Sequence, residues 1–207
     1  MNQALPGGNR RLLVYGLLGL IILASVLGNL YWIQVNVVQL GDDASSHLTR
    51  TLKIAAELQE PSLSALLRSL TITDFRPPAP YLAVQPFYWL FGQSMDSAQL
   101  ANIFLMALVL IFTFLLGRYA VNSGVALLAT AMTALLPMLV AMSRLFYTEA
   151  LVTLCVVANL YFLLKSERFS RRGWALAWGL SLGIGLLAKW TLPIYLVFPT
   201  LIVFWQA

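Results

Sequence analysis

The sequence is short of charge, of histidine and of cysteine, and each shortage removes a class of function. Only 10% of its 207 residues are charged, against about 25% in soluble domains, which excludes a soluble globular protein. The single cysteine, Cys155, lies inside an apolar run. Neither a disulfide framework nor a thiolate metal site can form within the chain, and Cys155 reads as a small buried apolar residue. One histidine, His47, with scattered carboxylates does not establish a metal-ligand set. The net charge of +5 is no nucleic-acid signal. Most of it sits in short loops between apolar segments, where Lys and Arg set topology.

What the chain has in abundance is hydrocarbon: 60% hydrophobic residues and a mean hydropathy of +0.81. The pattern predicts an all-α polytopic membrane protein with about six spans, near residues 12–34, 98–116, 124–142, 145–164, 173–188 and 191–205. Pro137 predicts a kink in the third span. The apolar part of the first is longer than a signal-peptide core, so it reads as an uncleaved helix. Between the first two spans lies an outer segment, about 36–97, with two or three short amphipathic helices along the membrane surface. One runs from Ala44 to Gln59, where Lys53 and Glu57 stand one turn apart; a second begins at Pro61; Tyr81 to Phe91 is too short to span. Arg10, Arg11, Arg118, Lys165, Arg168, Arg171 and Arg172 fall on one side of this topology, with Glu167 as the only acid. That side is cytoplasmic, together with the N-terminus.

Asp42, Asp43 and Glu149 then share the outer side, each at the boundary of a span. Asp42 could cap the helix that follows, with Asp43 complementing its dipole. Alternatively, the carboxylates face a wet cleft, since charge near hydrocarbon must be solvated or paired. Arg76, Arg144 and Lys189 sit on the same side, so interfacial ion pairs holding helices together would also account for them.

Four stretches carry a family resemblance. They are Gly41-Asp42-Asp43, the run from Arg76-Pro77-Pro78-Ala79-Pro80-Tyr81 to Leu90-Phe91-Gly92, Ser143 to Glu149, and Gly183-Ile184-Gly185-Leu186-Leu187-Ala188-Lys189. In order and topology they resemble membrane glycosyltransferases of the C-type fold, closest to the group of protein O-mannosyltransferases and lipid A aminoarabinose transferases. Ala188 stands where that group usually has Thr. The resemblance implies transfer of a sugar from a polyprenyl phosphate carrier to a hydroxyl of a lipid, glycan or protein acceptor, at the outer face of the plasma (inner) membrane, with inversion. It implies Asp42 or Asp43 as general base and Glu149 positioning the acceptor or tuning the site. Arg76, Arg144 and Lys189 would contact the lipid phosphate. His47 would hydrogen-bond Asp43 or line the site, or be a plain polar face residue. Some relatives use a divalent metal, which stays open here. Such enzymes run to several hundred residues, so residues 1–207 read as the N-terminal part of a longer glycosyltransferase membrane domain. A transporter or flippase-like module and a non-catalytic membrane subunit are the competing readings; against the former, the sequence has no internal repeat.

Overall fold

The computed structural model describes residues 7–36, 41–60, 62–72 and 75–205. Among the described residues all regular structure is helical. The helices are α1 (Gly7–Val35), α2 (Asp42–Glu57), α3 (Leu63–Ser69), α4 (Ala79–Phe91), α5 (Met95–Ala120), α6 (Ser123–Leu135), α7 (Pro137–Arg144), α8 (Glu149–Lys165), α9 (Arg172–Leu186) and α10 (Leu192–Trp205).

α5 is the axis of the bundle. Ala98, Ala101, Val109, Leu110 and Phe114 along it are buried against α1, α4, α6 and α8. Small residues decide where helices close in. A Cβ on Gly117 would lie 3.0 Å from the Ala126 Cα of α6. One on Gly185 would lie 2.7 Å from Leu192 Cδ2 and 3.0 Å from Cys155 Cβ, so the absent side chain lets α8, α9 and α10 meet. α1, by contrast, exposes Leu12, Leu20, Leu27 and Tyr31, as a helix bordered by lipid does.

Among the described residues two helices are long and apolar enough to cross a membrane, Gly8–Val35 and Met95–Ala120. A third crossing results if α6 and α7 count as one, although they bend by 58° at their junction. The residue before a proline favours extended backbone; Leu136 adopts φ −65°, ψ 115°, and Pro137 opens α7. What the pattern predicts as one span with a kink is therefore two helices. α8, α9 and α10 have 17, 15 and 14 residues. α8 starts later than expected because Leu145 is extended (φ −99°, ψ 148°).

The segment between α1 and α5 folds onto the bundle rather than into a unit of its own. Ile54, Ala55, Leu58, Ala65, Tyr81, Val84 and Tyr88 share a core with Ala98 and Ala101 of α5 and with Phe146. Burying each larger apolar side chain contributes roughly 1.5–3 kcal/mol. Ser62 caps α3 by accepting from the Ala65 N–H at 3.1 Å; Pro61, the expected start of this helix, lies outside the described residues. Glu57 pairs with Arg68 of α3, outside its own helix, and so ties α2 to α3.

Candidate active site

The site begins at the turn into α2. Gly41 has φ 101°, a conformation that L side chains rarely adopt, and a Cβ there would stand 3.4 Å from the Tyr147 hydroxyl. Gly41 occupies the cap position of α2, with no side-chain cap. Asp42 is the first helical residue rather than the cap, and its side chain lies outside the described residues.

Asp43 and His47 are four residues apart and share one face of α2. Arg76 links them: its Nη2 donates to Asp43 Oδ1 at 2.9 Å and its Nη1 approaches His47 Nε2 at 3.1 Å. The same Nη1 lies 3.4 Å from Nδ1, so it sits over both ring nitrogens. Nδ1 and the Tyr81 hydroxyl are 2.8 Å apart and share a hydrogen bond whose donor follows the ring tautomer. Burial, with the nearby Arg76 charge, lowers the His47 pKa to about 4, so the ring is neutral at physiological pH. The hydrogen bond and charge of Arg76 hold the Asp43 carboxyl below its usual range.

A second ion pair faces the first. Lys189, in the turn between α9 and α10, places Nζ 2.6 Å from Glu149 Oε1. Glu149 is the first residue of α8, where a carboxylate complements the positive end of the helix dipole. The Thr148 hydroxyl lies 3.4 Å from its other oxygen. Backbone contacts fix both segments. The Ala79 N–H, three residues after Arg76, donates to the Leu187 carbonyl at 2.9 Å, joining the proline-rich loop to the turn that carries Lys189. From α5, buried Asn102 donates to the carbonyls of Leu145 (2.9 Å) and Tyr147 (3.2 Å), and Gln99 to that of Arg144 (2.9 Å). These amides satisfy the carbonyls that the break between α7 and α8 leaves without helical donors.

Asp43, His47, Arg76, Tyr81, Glu149 and Lys189 all line one cavity of about 500 Å³, a size suited to a small ligand. Met138, Met142 and Trp190 give it apolar walls. Arg144 does not join them. Its Nε lies 3.2 Å from Asn29 Oδ1 and its guanidinium stacks over Trp32 at 4.8 Å. It lines a separate cavity among α1, α6 and α7. Met138 and Met142 face the first cavity while Val140 and Arg144 face the second, so α7 is the wall between them. Among the described residues no three His, Cys, Asp or Glu side chains gather as a metal-ligand set. Asp43, His47 and Glu149 each already face a cation, so these residues do not fit a resident metal.

A family model described as dolichyl-phosphate-mannose-protein mannosyltransferase matches residues 75–206. The chain belongs to that family. It is thereby a member of a mannosyltransferase-type group of membrane glycosyltransferases. No curated protein matches the chain. The matched stretch contains Arg76, Tyr81, Glu149 and Lys189, whereas Asp43 and His47 precede it and enter the cavity through folding of α2 onto α4.

Sequence reasoning left Tyr81, Gln99, Asn102 and Thr148 without a role. The signal for the two amides was present, since polar side chains in an otherwise apolar span have to find partners inside the protein.

Proposed function

We propose that the cavity is the active site of a glycosyltransferase that moves a sugar from a polyprenyl phosphate to an acceptor hydroxyl. The observation that carries this reading is the convergence of two carboxylates and two cations, Asp43, Glu149, Arg76 and Lys189, on one cavity. Asp43 is the general base. Arg76 occupies Oδ1, which leaves Oδ2 for the acceptor hydroxyl. As that oxygen attacks the anomeric carbon, its proton passes to Asp43. The bond from the anomeric carbon to the phosphate oxygen breaks on the opposite face, its electron pair leaves with the lipid phosphate, and the anomeric centre inverts. Arg76 and Lys189 stabilise the charge that develops on the phosphate. Glu149 holds Lys189 in place and orients the acceptor. His47, neutral, receives Arg76 without competing for the phosphate. The acceptor is a lipid, glycan or protein hydroxyl.

In the bilayer α1, α5, the α6–α7 pair, α8, α9 and α10 form six spans, with the N-terminus cytoplasmic and the cavity at the outer face of the plasma membrane. Helices of 14–17 residues reach only about 21–26 Å at 1.5 Å per residue, so the bilayer thins or flanking residues reach outward around them.

The test is sugar transfer from polyprenyl-phosphate mannose by the protein in its native membranes. Asp43→Asn keeps shape but cannot take the proton, and lowers the rate roughly 10²–10⁴-fold with the protein still folded. Wild-type turnover in Asp43→Asn, with loss in Asp42→Asn, would move the base to Asp42. Wild-type turnover in both rejects the mechanism.

A further inference from the structure

At the end of the bundle remote from the candidate active site, where α1 begins, α5 ends and α6 begins, a second polar cavity of about 390 Å³ is lined by Arg10, Arg11, Val14, Tyr15, Arg118, Asn122 and Ser123. Three guanidinium groups converge there. Of the other basic side chains at this end, Lys165 lies over the rings of Tyr119 and Trp174 at 4.9 and 5.1 Å, and Arg171 pairs with Glu167 at 2.7 Å. Arg118 meets Tyr15, by its hydroxyl and ring face. None of Arg10, Arg11 and Arg118 has a carboxylate partner among the described residues. Like charges gathered on one cavity repel one another unless an anion sits among them. The N-terminal end of the 13-residue helix α6 adds the positive end of its dipole at the same place.

We propose that this cavity binds the phosphate of an anionic phospholipid in the leaflet at that end of the bundle. The layering along α1 argues for a lipid over a free anion. One helical turn deeper than Arg10 and Arg11 stand Val14 and Tyr15, and Leu12, Leu13 and Leu17 beside them are exposed. A headgroup held by the arginines thus places its acyl chains along an apolar helix face. Basic pockets between membrane helices are suited to such headgroups. Arg118 and Tyr15 clamp one side of the phosphate, and Arg10 and Arg11 close the other. The inference rests on the membrane character of the chain and not on the sugar-transfer reading.

Native mass spectrometry of the intact protein in detergent, titrated with phosphatidylglycerol or phosphatidylcholine, tests it. Wild type retains phosphatidylglycerol in preference to phosphatidylcholine. Arg11→Gln/Arg118→Gln loses at least five-fold of the phosphatidylglycerol adduct with the phosphatidylcholine signal unchanged, and Arg11→Lys/Arg118→Lys retains most of it, which separates lost charge from misfolding. Arg168→Gln/Arg172→Gln, outside the cavity, binds as wild type. Unchanged binding in the first variant, or an equal loss in the Arg168/Arg172 variant, overturns the site. Displacement of phosphatidylglycerol by millimolar inorganic phosphate overturns the lipid as its occupant.

Discussion

Lys189 and Glu149, separated in the sequence by α8 and α9, meet at 2.6 Å on the wall of the same cavity that Asp43 and Arg76 share at 2.9 Å. The cavity is thus lined by two self-neutralising pairs, and on the proposed mechanism an incoming phosphate has to draw both cations away from carboxylates. Removing one member leaves its partner without a counter-charge. Lys189→Gln should therefore lower sugar transfer roughly 10²–10³-fold, the usual scale for one donor to a developing oxyanion. Glu149→Gln should cost less, because the cation remains. Initial rates in a double-mutant cycle check this, with strongly non-additive losses expected.

A pH dependence of stability follows from His47. Its native pKa is lowered to about 4 from 6.5, so below 6.5 the unfolded chain takes up a proton that the folded one refuses. Stability then falls as the pH drops from about 6.5 to about 4, by up to about 3 kcal/mol. Asp43, whose pKa is lowered, adds stability that is lost only below the ordinary carboxylate range. Thermal unfolding of wild type and His47→Gln at pH 7 and 4.5 should show a smaller acid-induced drop in the variant. Equal drops would remove His47 as the cause.

Asn102→Leu strips the side-chain donor from the Leu145 and Tyr147 carbonyls at the break before Glu149; the Leu145 carbonyl keeps the Tyr147 N–H at 3.0 Å, so the loss falls on Tyr147. Leaving a buried carbonyl unsatisfied costs about 1–3 kcal/mol. A lowered melting temperature together with reduced transfer is expected. Asn102→Asp, which keeps the size but loses the donor, should behave alike.

How far the site could be read in advance depended on the local backbone. Asp43, Glu149, Arg76 and Lys189 sit next to breaks that proline, glycine or a charge marks in the sequence, and the structure gathers all four on one cavity. The place of Arg144 was not legible, because the face it takes depends on the 58° bend before α7, which turns it towards Trp32. Nor was the network through Tyr81, since only the packing of α2 on α4 carries His47 to that hydroxyl. The helices themselves were legible by composition. Their ends were less so, because Asn102 and Gln99 stabilise a non-helical stretch where apolarity alone would continue a span.

Gly185→Ala should be disproportionately harmful for one methyl group. The added carbon would meet Leu192 Cδ2 at 2.7 Å and the Cys155 Cβ at 3.0 Å, and the second contact, at a Cβ, yields only if α8 or α9 shifts. Overpacking of this kind costs typically 1–3 kcal/mol. The displacement also falls beside Lys189, so the melting temperature and the transfer rate should drop together. A fully active variant with unchanged melting would show that α10 yields freely.

The backbone bond from Ala79 to Leu187 makes a mechanical linkage of two loops distant in sequence. Arg76 stands just before one end of it and Lys189 just after the other, so a tilt of α9 or α10 is passed to both cations at once. Tilt is one of the ways a helix answers bilayer thickness. On the proposed mechanism the spacing of Arg76 and Lys189 then follows the surrounding lipid, and membrane thickness sets the rate; transfer rates in bilayers of graded acyl length should trace an optimum, and a flat response would show the linkage to be slack.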